Sequence, residues 1–137
     1  MTPTKATPKA AGGRSKVLAP RALVPLAHVV DVARSVAFYE TLGFAVGGKL
    51  VGEDGTLDWV ILEHEGAQVM VGRAVAPVVA EEQAVLFYVY YQDVAAAHAA
   101  LIAAGIDAGP ILYPQHSPRG EFRVVDPDGY AVQVTHT

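Results

Sequence analysis

The groups that could do chemistry in this chain are imidazoles and carboxylates. The sequence has five histidines, 14 aspartates and glutamates and no cysteine, so a metal site or an acid–base centre would have to use nitrogen and oxygen donors. It contains no His-Glu-x-x-His metal motif, nucleophile elbow, P-loop or dinucleotide-binding glycine motif. No serine or threonine stands in a motif that would activate it as a nucleophile. These residue types alone therefore indicate no particular reaction.

His28 is the histidine that is best placed for a role. It lies in a predicted strand and alternates with Val24 and Leu26, so all three side chains are expected on the same face. If that face lines a cavity, the imidazole can hydrogen-bond a ligand or act as a base. A histidine at a strand end that bonds only to backbone is the alternative, and the sequence leaves both open.

The other four histidines give weaker signals. His64 lies between two glutamates at a predicted hairpin tip, but adjacent strand residues point to opposite faces, so this trio is not expected to chelate together. His116 lies in a loop, and loops at the mouth of a cleft often contact ligands, although a loop residue without a role fits at least as well. His98 and His136 are expected on a helix surface and near the C-terminus, without a role.

The composition predicts one globular domain with a substantial core. The 137 residues are 52% hydrophobic and 18% charged, and a domain of this size buries roughly 65–70% of its unfolded surface. No apolar run is long enough to cross a membrane, so no membrane association is expected. A chain without cysteine has neither disulfides nor thiolate ligands, which is in keeping with a reducing cytoplasm.

Charge is distributed unevenly along the chain. Residues 1–21 carry five basic side chains and no acidic one, and they show no sustained apolar period, so we expect a disordered basic tail. The remainder holds five basic and 14 acidic residues, which argues against nucleic acid as a partner. The role of the tail cannot be deduced from these residues.

Two stretches of similar organisation follow the tail. Asp-Val-Ala at 31–33 opens a predicted helix that ends before Gly43, and the same tripeptide at 93–95 opens a second helix that ends before Gly105. Each helix follows one predicted strand and precedes three, which gives a βαβββ order in modules at about 22–74 and 84–137. The predicted class is α+β, with two tandem modules forming a curved sheet cup. The eight predicted strands lie at about 22–30, 44–52, 56–64, 67–72, 84–91, 106–112, 120–126 and 130–136.

Three sequence stretches resemble the vicinal oxygen chelate superfamily, which includes glyoxalase I, ring-cleaving dioxygenases and bleomycin-resistance proteins. They are HVVDVARSVAFYETLGF, VYYQDVAAAHAALIAAGI and GEFRVVDPDGYAVQV, and the resemblance covers essentially all of residues 22–137. These stretches supply helix caps, a helix packing face and the hairpin turn Asp-Pro-Asp-Gly, so they indicate a fold and not a reaction. The resemblance implies two βαβββ modules that form a cup, usually in a homodimer. It does not tell whether modules pair within one chain or between chains.

The resemblance also locates the positions at which metal-dependent members hold a divalent ion. In this sequence they fall on Val24, its repeat counterpart Leu86, Met70 and Gln133. Val and Leu have no donor atom, Met offers only a thioether, and one amide oxygen does not make a site. We therefore expect that the protein binds no metal and no other cofactor. Its sequence is more similar to the metal-free, bleomycin-resistance-like branch of the superfamily.

The expected ligand site is the inside of the cup. Strand parity and the implied fold predict a largely apolar lining with a few polar groups, typical of a small-molecule site. Each of these residues could equally belong to the core, because a sheet covered by helices buries both faces. The predicted lining is Val24, Leu26, His28, Trp59, Met70, Leu86, Tyr88, Tyr90, Phe122 and Gln133.

The function expected from these residues is metal-independent binding or sequestration of a small apolar or aromatic molecule, such as a drug or an antibiotic. A glyoxalase-type lyase or isomerase, or a dioxygenase, is the alternative, and it would need a displaced ligand set such as His28 and Gln133 with a carboxylate. An accessory module with a vestigial cup is a third reading. The sequence leaves the ligand's identity, and whether any catalysis occurs, undetermined.

Overall fold

The computed structural model describes residues 18–137, and most of the predicted basic tail lies outside this range. None of the helices in the described range is both long and apolar enough to cross a membrane. Residues 18–137 form seven strands and two α-helices in two successive halves, which confirms the α+β class. The elements are β1 Leu26–Val29, α1 Val32–Thr41, β2 Ala45–Val51, β3 Leu57–His64, β4 Ala67–Arg73, β5 Leu86–Tyr91, α2 Val94–Ala103, β6 Glu121–Val125 and β7 Ala131–His136.

The strands form two sheets, one in each half. The first sheet has the order β1-β4-β3-β2 and the second has the order β5-β7-β6. The first strand of each half lies at a sheet edge and runs parallel to the last strand of that half, with Leu26 opposite Met70 and Tyr88 opposite Gln133. The remaining pairs are antiparallel, as short hairpin connections require. The internal repeat seen in the sequence is therefore a repeat of strand pairing.

Both helices begin and end where the sequence predicts. The Asp31 side chain accepts a hydrogen bond from the Arg34 N–H at 3.2 Å, and the Asp93 side chain accepts one from the Ala96 N–H at 2.9 Å. These bonds satisfy N–H groups that have no partner within the helix. Each helix ends before a glycine with positive φ, +101° at Gly43 and +84° at Gly105, a conformation that other residues adopt only with strain.

The second half lacks one predicted strand. Residues 106–112 form an irregular segment that touches β6 through a single bridge between Leu112 and Glu121 and a 2.9 Å bond from the Gly109 N–H to the Arg123 carbonyl. Pro110 lies between these contacts, has no N–H to donate and so interrupts a continuous ladder. The second half is therefore βαββ and its sheet has three strands.

One hydrophobic core joins the two halves. Helix α1 covers one face of the first sheet, where Val60, Leu62 and Val71 are fully buried. Helix α2 covers the corresponding face of the second sheet, where Val132 and Val134 are fully buried. The opposite face of each sheet carries neither helix and is called its open face below.

The turn between β6 and β7 docks on α1. The backbone N–H of Val30, just before the helix, donates to Asp128 Oδ1 at 2.9 Å, and the Tyr39 hydroxyl donates to Asp126 Oδ2 at 2.8 Å. The other oxygen of Asp126 accepts the N–H groups of Asp128 and Tyr130 at 2.9 and 2.8 Å. Burial raises the pKa of Asp126 despite these bonds, and burial beside Asp126 raises the pKa of Tyr39. The Asp-Pro-Asp-Gly turn is thus a joint between the halves as well as a hairpin connection.

Candidate functional site

The open face of the second sheet combines aromatic and polar side chains in register. Strand pairing places its nine residues in three rows that run across β6, β7 and β5, and neighbouring strands lie about 4.8 Å apart. The first row has a carboxylate at its β6 end and a tyrosine ring at its β5 end, and the second row has a guanidinium at its β6 end and a tyrosine ring at its β5 end. The rows are Glu121–Thr135–Tyr90, Arg123–Gln133–Tyr88 and Val125–Ala131–Leu86.

The aromatic edge of this face is formed by two tyrosines of β5. Tyr88 and Tyr90 are 48% and 59% exposed, and their ring centroids lie 6.4 Å apart with a 30° angle between the planes. Residues 18–137 thus leave two adjacent large aromatic rings half exposed, which makes this edge a candidate contact surface. Such rings can stack on flat ligands and can also face a cation.

A cleft runs beside the same strand. It has a volume of about 580 Å³ and is lined by Leu86, Tyr88 and Tyr90 on one side and by Phe44 and Gln68 on the other. A second cleft of about 680 Å³ shares Phe44 and Tyr90 with it and reaches the tip of the β3–β4 hairpin. Both volumes are in the range of small-molecule sites. Three of the predicted lining residues, Leu86, Tyr88 and Tyr90, therefore meet in one cleft.

A chain of hydrogen bonds crosses the polar part of the open face. Arg123 Nε donates to Gln133 Oε1 at 3.1 Å, and Gln133 Nε2 donates to Glu121 Oε2 at 2.8 Å. These two bonds fix the orientation of the buried amide, with its oxygen toward the guanidinium and its nitrogen toward the carboxylate. Gln133 is thus an amide of the open face that is already engaged on both sides.

The loop before β6 covers the end of this hydrogen-bond chain at which Glu121 lies. Ser117 and Thr135 share a 2.7 Å hydrogen bond between their hydroxyls, which holds this loop on β7. The neighbouring imidazole of His116 is largely exposed, and its Nε2 lies 3.3 Å from Glu121 Oε1 without the geometry of a hydrogen bond. Glu121 and Arg123 were not predicted as site residues. Their spacing around the Asp-Pro-Asp-Gly turn, which sets the pairing with Gln133, was the signal that could have found them.

His28 lies elsewhere, in a groove of about 410 Å³ under the connection between the halves. The groove is also lined by Glu82, Gln83 and Tyr130, and the Tyr130 hydroxyl donates to the His28 carbonyl at 2.9 Å. The imidazole is exposed, and the cleft beside β5 does not include it. The structure therefore separates His28 from the tyrosines with which it was grouped.

The open face of the first sheet carries the predicted lining residues Leu26, Trp59 and Met70, and His28 alternates with Leu26 on the same face. Leu26 lies opposite Met70, and Trp59 lies one strand away from Met70 and opposite Gly72. Met70 and Trp59 are half-buried, and so is Val24, which precedes β1 and lies outside the sheet. The predicted lining thus divides between two open faces, one on each sheet.

Phe122 does not line either open face, and its predicted place was wrong. It is 1% exposed and packs edge-on against His98 of α2, with ring centroids 4.8 Å apart. The register explains this, because Phe122 pairs with the buried Val134, whereas its neighbour Arg123 pairs with Gln133. A one-residue difference along a strand exchanges the two faces of the sheet.

The four positions that correspond to metal ligands do not fit a metal ion. Val24 and Leu86 carry no donor atom, Met70 carries a thioether, and both ends of the Gln133 amide are hydrogen-bonded. Within residues 18–137, no three His, Asp or Glu side chains cluster in a way that could hold a metal. A displaced set that uses His28 and Gln133 would also need to join two separate sheets.

Comparisons with known proteins agree on the fold. Residues 24–134 match the family model described as the Glyoxalase/Bleomycin resistance protein/Dioxygenase superfamily. No curated protein matches the chain in sequence. A bleomycin resistance determinant encoded on the transposon Tn5 is 17% identical with a TM-score of 0.71, and the alignment covers 86% of this chain and 98% of that one.

Two further solved structures come from Streptomyces. A bleomycin-binding protein from bleomycin-producing Streptomyces verticillus, in complex with copper(II)-bleomycin, is 21% identical with a TM-score of 0.65, covering 88% of this chain and 98% of that one. TnmS3, an antibiotic-binding protein from Streptomyces sp. CB03234, is 20% identical with a TM-score of 0.65, covering 87% and 97%. At these identities the likeness is one of fold.

Proposed function

The chain belongs to the Glyoxalase/Bleomycin resistance protein/Dioxygenase superfamily, and from that membership we propose that it binds and sequesters a small apolar or aromatic molecule without a metal ion. The observation that carries the proposal is the exposed pair Tyr88 and Tyr90 beside a cleft of about 580 Å³. Sequestration needs affinity alone, and flat aromatic surface next to an apolar cleft supplies it.

The donor set supports binding without a metal. Three of the four positions that correspond to ligands are Val24, Leu86 and Met70, and the fourth, Gln133, already has partners for both ends of its amide. A hard or borderline cation would find no adequate oxygen or nitrogen ligands there. These four positions instead carry neutral and largely apolar side chains.

Antibiotics are the ligand class that we favour. Solved structures of the same fold include a bleomycin-binding protein and an antibiotic-binding protein. In this chain, the open face of the second sheet joins tyrosine rings to amide, carboxylate and guanidinium groups. Amphipathic, ring-containing molecules match such a surface because rings stack while polar substituents find hydrogen-bond partners.

A homodimer is part of the proposal. Two open faces, covered by neither α1 nor α2, carry apolar and aromatic side chains. They are Leu26 and Met70 on the first sheet and Leu86 with the two tyrosines on the second. A second copy that brings one open face against the other would bury these side chains and enclose a ligand between two sheets. The expected result is a mass of two chains by light scattering coupled to size exclusion. A single-chain mass at every concentration up to 100 times that of the binding assay would remove this part of the proposal.

We also place the protein in the cytoplasm. Its sequence contains no cysteine, as suits a chain that folds under reducing conditions without disulfides. Fractionation of cells that express the full chain, with detection by an antibody, tests the location.

Metal content and ligand binding test the function together. The purified full chain is incubated separately with Zn, Ni, Mn, Fe and Mg, dialysed and subjected to elemental analysis, and we expect far less than one ion per chain. The same preparation is titrated with metal-free bleomycin and with a panel of aromatic antibiotics in a calorimeter. Saturable binding in the presence of a chelator is the expected result. One tightly held ion per chain, with binding or turnover that depends on it, would instead establish the metal-dependent enzyme.

A further inference from the structure

One carboxylate oxygen on the open face of the second sheet lacks a hydrogen-bond partner among the described residues. Glu121 is 8% exposed, and its Oε1 makes no hydrogen bond with any group in residues 18–137. Its other oxygen, Oε2, accepts from Gln133 at 2.8 Å. Burial of a carboxylate oxygen without a hydrogen bond costs free energy, so such an oxygen calls for an explanation, for example a role in binding a ligand.

Gln133, Ser117 and Thr135, which lie near Glu121, already use their polar groups in other hydrogen bonds. Gln133 cannot turn a second N–H toward Oε1 without losing its bond to Arg123, which holds the amide oxygen at 3.1 Å. The hydroxyls of Ser117 and Thr135 are bonded to each other at 2.7 Å. The His116 imidazole is also close, since its Nε2 is 3.3 Å from Oε1, but it is misaligned for a hydrogen bond. Its side chain is 68% exposed, so it can rotate away into solvent at little cost.

We propose that an ammonium group of the bound molecule takes the place of the His116 imidazole beside Glu121 Oε1. A carboxylate oxygen with a free lone pair accepts an N–H from an ammonium in a charge-assisted hydrogen bond. Tyr90 lies in the same row as Glu121 and Tyr88 in the next, both two strands away across β7, so the aromatic part of an amine that extends from Glu121 over β7 would reach these rings. The ligand class is therefore an aromatic or ring-containing amine.

This inference rests on the proposed function, and a matched pair of probes separates the two. Naphthylmethylamine, an ammonium at neutral pH, and naphthylmethanol have the same ring and nearly the same size. Dissociation constants for both are measured by NMR titration of the full chain, of Glu121→Gln and of Glu40→Gln. Glu40 lies exposed on α1, so its replacement is a control that makes the same change in net charge. Thermal melts check that each variant folds.

The wild-type chain and Glu40→Gln are expected to bind the amine about tenfold more tightly than the alcohol. Glu121→Gln is expected to lose this preference and to bind the two probes with similar affinity. If both probes bind the wild type equally, the function stands and the ammonium subsite is wrong. If neither probe binds at millimolar concentration, both proposals fail for this ligand class.

His116→Ala distinguishes the carboxylate from the imidazole. Removal of the side chain that the amine displaces should preserve the preference and strengthen amine binding up to severalfold, because no competing group remains beside Oε1. Loss of the preference in His116→Ala would show that the imidazole recognises the probe, and would overturn the assignment to Glu121.

Discussion

Tyr39 of α1 donates a 2.8 Å hydrogen bond to Asp126 of the β6–β7 turn, and both side chains are buried although they lie 87 residues apart in the chain. This bond belongs to the joint that carries the second sheet onto the first helix. The same turn leads into β7, the strand that carries Gln133 of the candidate site. The position of the candidate site relative to the first half therefore depends on a buried carboxylate and a phenol.

Replacement of Tyr39 by Phe removes this bond and leaves Asp126 Oδ2 without its donor. The expected loss is about 1–3 kcal/mol in the free energy of unfolding, measured by urea denaturation at neutral pH, because the carboxylate stays buried. Tyr113→Phe makes the same chemical change at an exposed ring and should alter stability by less than about 0.5 kcal/mol. Equal effects of the two changes would contradict the role of the joint.

Asp126→Asn should change how stability depends on pH. Because burial raises the pKa of Asp126 in the folded chain, the folded state holds this proton at pH values where the unfolded state has released it. The contribution of Asp126 to stability is therefore largest below the unfolded pKa of about 3.9 and declines as pH rises through the higher folded pKa. Wild type should gain stability relative to Asp126→Asn as pH falls from 7 toward 4, in urea titrations at each pH. A difference that grows with rising pH would reverse the assigned direction.

Alanine substitutions at Gly129 and Gly55 form a matched pair that tests the backbone contact of the β6–β7 turn. Both have positive φ, +91° and +83°, so alanine at either position should cost about 1–2 kcal/mol from strain. A Cβ at Gly129 would also lie 2.6 Å from the Ala80 backbone, whereas one at Gly55 meets no atom of the described residues within 4 Å. Gly129→Ala should therefore lower the thermal midpoint clearly more than Gly55→Ala. Similar midpoints would show that the segment at Ala80 yields without cost.

Tyr88→Ala and Tyr90→Ala test the aromatic edge. Each removes one exposed ring beside the cleft, and loss of a stacking ring should weaken binding of an aromatic ligand by about fivefold to a hundredfold. Stability should change little because neither ring is buried. Tyr113→Ala, an exposed tyrosine outside both clefts beside β5, is the control and should bind normally in calorimetric titrations. Unchanged affinity in both variants would move the ligand site away from β5.

Local chemistry explains which predictions were confirmed. Asp31 and Asp93 were predicted as helix caps, and Gly43 as a helix end, from residue types and spacing within a few positions, and the structure has all three. The strand expected at 106–112 was wrong. Pro110 has no backbone N–H to donate, and this matters only where the segment pairs with β6, which the local sequence does not show.

The sequence by itself determined the features that depend on near neighbours: the α+β class, the repeated strand-helix order, the caps and the Asp-Pro-Asp-Gly turn. Tertiary structure alone decided which faces those elements present. It turned Phe122 to the core and Glu121 to the open face, separated His28 from the tyrosines, and joined Tyr39 to Asp126. The physical reason is that a strand's pairing register and the docking of two halves are set by contacts between distant residues, and a shift of one residue exchanges the faces of a sheet.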